Sequence, residues 1–306
     1  MCLFCQWMQS VTSILLSLAL FQSSAFAAEP DQPLVFSLRS ETGLTACLVA
    51  INHMVLRAAE ESSDIVGCEQ RARALVFEAA PLPKEGYSLA KYVRGNGDPA
   101  IQDLSDATVR KIVPALKSAL YSPEQIKQLL ALHPVAVYRA LIYSKVLSDV
   151  KFVPNLDLLL MNAARQRNFE IRELEGVDAY IDHERTLTAG QLDQILFNLC
   201  DLFIDPTRLQ TARTLIDKYA HDLSAQPDVD TAWKKKVWFN TVALGLPAFT
   251  VAHDVDERNP LLVKGLLSAM DERSPVLVFV GAAHLGGPQG LIKLLEDQHV
   301  TVTRVR

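Results

Sequence analysis

The sequence predicts an α/β protein, with a central mixed β-sheet, flanking helices and a helix-rich lid or subdomain over one end of the sheet. Three observations predict it. Short strand-forming runs recur at Leu34–Arg39, Leu44–Ile51, Ala74–Phe77, Phe169–Leu174, Val276–Val280 and His299–Val305. Between them lie longer segments whose apolar residues recur at three- and four-residue spacing, and strands alternating with helices argue for an α/β sheet. The run Val276–Val280 is continuously apolar and is broken by Gly281 and by Gly286-Gly287-Pro288, which reads as a fully buried strand.

Taken in order, Leu34–Arg39 and Leu44–Ile51 are joined by Ser40-Glu41-Thr42-Gly43, the pattern of a hairpin. A helical pattern follows from Val55 toward Arg73, and the short run Ala74–Phe77 then delivers Glu78 at its end. From Asp98 to Ser148 three helices are predicted. Ser105 opens the first and Ser122-Pro123 the second; His133-Pro134 closes the second, and the third runs to about Leu147. Further helices are predicted over Pro154–Gln166, Thr188–Leu202, Asp205–His221, Trp233–Leu244 and Pro260–Met270. The polar stretch His253–Asn259 reads as a solvated loop. A last helix, Gln289–Glu296, precedes the closing strand. The helical insertions fall at about 98–150 and 187–250 of one domain spanning 28–306.

The chain has 306 residues, 49% hydrophobic and 21% charged, enough for a large core in one domain or for two small ones. Its formal net charge of -5 provides no basic field, which excludes nucleic acid as a partner. The cationic run Lys234-Lys235-Lys236 reads as a solvated helix face. Val11–Phe21 has the length of a signal-peptide core, and Ser23–Ala27 supplies small residues at an A-x-A site. Residues 1–27 are therefore predicted to be a signal peptide cleaved after Ala27, giving an exported, periplasmic protein with no stable membrane span in the mature chain. Cleavage leaves Cys47, Cys68 and Cys200. One disulfide at most could form, Cys47 with Cys68 being conceivable, but three buried thiols is the favoured reading.

Chemistry is expected where strands end, because ligands of open α/β sheets bind outside the carboxyl ends of their strands. His53, Glu78 and His284 stand at three such ends and Glu175 at a fourth. Imidazole and carboxylate donors are the ligand set of a catalytic divalent metal. His53, Glu78 and His284 are thus the candidate metal ligands, for Mn, Co or Zn. Glu78, Glu175 and Arg258 are the candidate catalytic groups, Arg258 stabilising developing negative charge. Against this stand plainer readings: Glu78 paired with Arg258 in a salt bridge, Glu175 as a helix-terminus carboxylate, Asp157 as a partner of its helix dipole, and His133, His183, His221 and His299 as structural or exposed residues.

The segment from Val278 to Leu291, with Gly281-Ala282-Ala283-His284 and the flanking Gly286-Gly287-Pro288, resembles the C-terminal signature of the TraB/PrgY/GumN family, which includes the Tiki metalloproteases. The family carries two GxxH motifs. Ala50-Ile51-Asn52-His53 sits where the first belongs, Leu75–Glu78 resembles the strand ending in the family's acidic residue, and Asn155-Leu156-Asp157 its G-x-D helix start. Glu173-Leu174-Glu175 resembles its L-E strand end and Arg258-Asn259 its R-N pair. What the resemblance implies is an exported α/β protein with a divalent-metal site made by His53, Glu78 and His284, and hydrolysis of a peptide or protein substrate there. Two departures matter: Ala50 and Asn155 replace glycines, which is costly where a backbone needs φ > 0. The alternatives are a non-catalytic envelope protein binding a peptide, a haem or a protein partner, and a degenerate member whose site is spent.

Overall fold

The computed structural model describes residues 34–51, 63–78, 89–144, 146–147, 156–222 and 228–305. The predicted signal peptide, His53 and Asn155 lie outside them. Six strands form one mixed sheet in the order β4-β3-β5-β2-β1-β6. They are β1 (Val35–Arg39), β2 (Thr45–Ile51), β3 (Ala74–Phe77), β4 (Glu170–Glu173), β5 (Val276–Gly281) and β6 (Thr301–Arg304). β4, β3, β5 and β2 run parallel, while β1 is antiparallel to both β2 and β6. All four parallel strands therefore present their carboxyl ends at one edge.

The helices in chain order are α1 (Ser63–Glu69), α2 (Asp106–Ser118), α3 (Pro123–Leu130), α4 (Pro134–Ile142), α5 (Leu156–Gln166) and α6 (Val177–Glu184). They continue with α7 (Ala189–Ile204), α8 (Pro206–Asp222), α9 (Val229–Trp238), α10 (Asn259–Arg273) and α11 (Leu291–Asp297). The period of two in β5 explains how the sheet is covered. Val276, Val278 and Val280 face Leu262, Leu266 and Met270 of α10 and Leu291 and Leu295 of α11. Leu277 and Phe279 face Ile65 of α1 and Met161 and Ala164 of α5 on the other side. A strand buried on both faces has no polar alternation, which is why its run is continuously apolar.

Helices α2, α3, α4, α6, α7 and α8 share a separate core, in which Ile112, Leu116, Leu141, Leu192, Leu196 and Phe203 meet, whereas Ala232 of α9 packs into the sheet core. Their starts follow from capping chemistry. The Ser105 hydroxyl accepts from Thr108 N–H, and Ser122 with Gln125, like Thr188 with Gln191, forms a reciprocal capping box. His133 caps α4, its Nδ1 accepting from Val135 N–H at 3.3 Å. Its ring is fully buried, and burial, helped by Arg185 and Arg94, holds its pKa below the ordinary value. A histidine with a depressed folded pKa stabilises above its unfolded pKa, and that contribution is lost as pH falls below about 6.5 toward the folded pKa. Urea unfolding at pH 7.5 and pH 5 should show a drop that is smaller in His133→Gln than in the wild type.

Three expectations are corrected. α4 stops at Ile142, not near Leu147; α6 is a helix where the sequence pattern predicts none; and the stretch at His253 is helical. Cys47 and Cys68 form a disulfide with a Cα–Cα separation of 6.0 Å, so the reading of three buried thiols is also corrected; among the described residues Cys200 is the free cysteine, and it is buried. The bond ties β2 to α1 across a separation of 21 residues. A loop of that size restricts the unfolded chain by about 3 kcal/mol. Cys68→Ala should therefore lower the unfolding free energy by about that amount, read by urea denaturation under non-reducing conditions. No described helix is long and apolar enough to cross a membrane.

Candidate functional site

Three parallel strands deliver the site. β3 ends at Phe77, directly before Glu78, and β4 ends two residues before Glu175. β5 ends at Gly281 and turns at once into a single 3₁₀ turn, Ala282–His284. The register pairs Phe77 with both Phe279 and Glu173, so β3 and β4 end level and β5 runs two residues further, to Gly281. Stacked Phe77 and Phe279 rings, 5.4 Å apart, lie just beneath them. At and beyond the ends of β3 and β4 two more backbone bonds follow, Leu174 N–H donating to the Phe77 carbonyl at 2.8 Å and Glu175 N–H to the Glu78 carbonyl at 3.1 Å. The two acidic residues thus leave the sheet side by side.

Arg258 joins their side chains. Its Nη2 donates to Glu78 Oε1 at 2.7 Å and also to Glu175 Oε1, while Nη1 donates to the Asp254 carbonyl at 3.0 Å. The Tyr180 ring lies over the guanidinium, 4.7 Å from Cζ. Burial opposes the charge on Arg258, but Glu78 and Glu175 outweigh it and raise its pKa above the ordinary guanidinium value. Glu78 is held at its other oxygen by Gly281 N–H, at 3.1 Å from Oε2.

His284 approaches Glu78 from β5. Its Nδ1 lies 2.6 Å from Asn259 Oδ1, and Asn259 Nδ2 donates to the carbonyls of His284 and Gln289 at 3.1 and 2.6 Å. The amide nitrogen is thus committed to two acceptors, so Oδ1 must accept and His284 Nδ1 must carry the hydrogen. That leaves the lone pair of the neutral ring on Nε2, which faces Glu78 Oε1 at 3.3 Å. Two acceptors in that position repel each other unless a proton or a cation lies between them. Imidazole and carboxylate donors, with the other ring nitrogen held by an amide oxygen, have the composition and outer support of a divalent-metal site. The donors therefore fit such an ion, although Glu78 Oε1 is shared with Arg258.

Of the residues singled out in the sequence, Glu78, Glu175, Arg258 and His284 meet in one buried cluster. His53 lies outside the described residues; β2 ends at Ile51, paired with Gly281, two residues before it in the chain. Ala50 occupies an ordinary extended position paired with Val280, and no positive φ occurs there, so alanine meets no conformational penalty. Asn259 went unassigned in the sequence except as half of an R-N pair. Its signal is positional, since it follows Arg258 at the start of α10.

Close packing holds these pieces together. A Cβ on Gly265 of α10 would come within 2.0 Å of the Leu174 carbonyl oxygen, so only glycine lets α10 approach the backbone that leads to Glu175. Gly287 has φ +88, and a Cβ there would lie 2.5 Å from the Trp233 indole. Trp233 Nε1 in turn donates to Asp256 Oδ1 at 3.2 Å, tying α9 to the loop after His284 and to the segment before Arg258.

That segment overturns the expectation of a solvated loop. Ala252–Asp256 is a π-helix with His253 and Val255 buried. Such π turns recur at functional sites. His253 stacks on His183 of α6 with ring centroids 4.2 Å apart. His183, His253 and Glu257 each offer one ligand atom within 4.8 Å of the others, a group able to hold a metal.

No curated protein and no solved structure matches this chain. The model of the TraB/PrgY/gumN family matches residues 42–304, which include every side chain of the cluster around Arg258. The match covers nearly the whole sequence, and the chain belongs to the TraB/PrgY/gumN family.

Proposed function

We propose that this protein is an exported, metal-dependent hydrolase acting on peptide or protein substrates. The observation that carries the reading is the pair of facing acceptors, His284 Nε2 and Glu78 Oε1 at 3.3 Å, with Asn259 holding the imidazole in the tautomer a ligand needs. His284, Glu78 and His53 would hold a divalent ion, Mn, Co or Zn. Such an ion supplies Lewis acidity, which lowers the pKa of a water toward neutrality. Glu78 would act as ligand or as general base; Arg258 would place positive charge beside developing negative charge. Glu175 is the buried carboxylate that holds Arg258 in place.

Export is supported by the signal-peptide pattern in Val11–Ala27 and by the Cys47–Cys68 disulfide, since such bonds persist in oxidising compartments. A second reading, a site used only for binding or already spent, is favoured by one observation: Arg258 already pairs with one oxygen of each carboxylate. Activity separates the two. Protein loaded with Mn, Co or Zn should cleave members of a mixed peptide library, with His284→Ala and Glu78→Gln both inactive. Cleavage by none of the three loaded forms, or cleavage that survives His284→Ala, would contradict the hydrolase.

A further inference from the structure

We infer that His183, His253 and Glu257 form a second cation site, for a zinc-class divalent ion, that clasps α6 to the π-helical segment before Arg258. The hydrogen-bond pattern assigns the ring tautomers. His183 Nε2 lies 2.8 Å from the His253 carbonyl and must donate to it, leaving Nδ1 as that ring's lone-pair nitrogen. A histidine whose other N–H rests on a backbone carbonyl has the outer support usual for metal ligands. His253 Nδ1 lies 3.1 Å from Glu257 Oε2, and its Nε2 is buried with no hydrogen-bond partner among the described residues.

A buried imidazole that meets a carboxylate at Nδ1, has no partner at Nε2 and stacks on a second imidazole is chemically unfinished. Two nitrogens and one oxygen suit zinc-class ions better than Mg or Ca. Glu257 is more than half exposed, so its carboxylate can swing to close the 4.8 Å spread, and the fourth position stays open to water.

The position gives the site a consequence. α6 carries both His183 and Tyr180, the ring covering Arg258, and the π segment carries His253 and Asp254, whose carbonyl holds Arg258. An ion bridging the two elements would fasten that cover. The site is independent of the one at His284, and a His284→Gln background separates them. In metal-stripped full-length protein of that background, zinc titrated by calorimetry should still bind and should raise the melting temperature. His183→Phe, which keeps the ring stack, and Glu257→Gln, an exposed change, should each weaken that binding at least tenfold and abolish the shift. If either variant leaves zinc affinity and melting shift unchanged, the second site is wrong. Absence of any zinc binding in the His284→Gln background overturns it equally.

Discussion

Arg258→Met is expected to lower the unfolding free energy by about 3–5 kcal/mol, because it strands two carboxylates inside the protein. Glu175 is nearly fully buried and Glu78 almost so, and one guanidinium nitrogen serves both. Removing one member of a buried ion pair leaves an uncompensated charge, which is far worse than never burying the pair. The double variant Arg258→Met/Glu175→Gln should therefore recover part of the loss, because an amide needs no counter-charge. Urea denaturation of the wild type, both single variants and the double variant gives the coupling directly. A loss in Arg258→Met below about 1 kcal/mol would mean that the carboxylates find solvent and that the cluster is not the closed unit described.

Asn259→Leu is expected to weaken divalent-ion binding at the His284 site by about 10–100-fold, the usual effect of removing an outer-shell partner. The change removes the acceptor that keeps hydrogen on His284 Nδ1, so the ring can place its proton on Nε2 instead, facing Glu78. It also strips two carbonyls, of His284 and Gln289, of their donor. Asn259→Asp keeps the acceptor and should retain more affinity than Asn259→Leu, an ordering that a purely structural role would not require. Calorimetric titration with Mn or Zn in a Glu257→Gln background, where the second site is disabled, reads the effect at one site only.

Much of this arrangement is legible in the sequence, for identifiable reasons. Ala74–Phe77 and Val276–Gly281 are short apolar runs that stop at a charge or a glycine, so the residues they deliver can be named before any coordinates. Glu175 is readable in the same way from the end of β4. What the pattern hides is pairing. His253–Asn259 reads as a loop because most of its residues are polar, yet Arg258 is neutralised by partners 180 and 83 residues away. Hydropathy has no means of seeing a charge cancelled by a distant one. The disulfide is hidden for the same reason, since it depends on a 6.0 Å approach that spacing does not encode. α6 escapes notice because it buries only Ile181 and Glu184, the latter paired with Arg139, and so carries almost no apolar stripe.

On the proposed function, the lone pairs of His284 Nε2 and Glu78 Oε1 converge on a metal ion. Anomalous diffraction from crystals of the zinc-loaded protein tests it most directly. The expected result is a peak about 2.0–2.2 Å from both atoms, absent in His284→Ala. Zinc found only at His183, His253 and Glu257, with Glu78 still closed on Arg258 and His284, would contradict it.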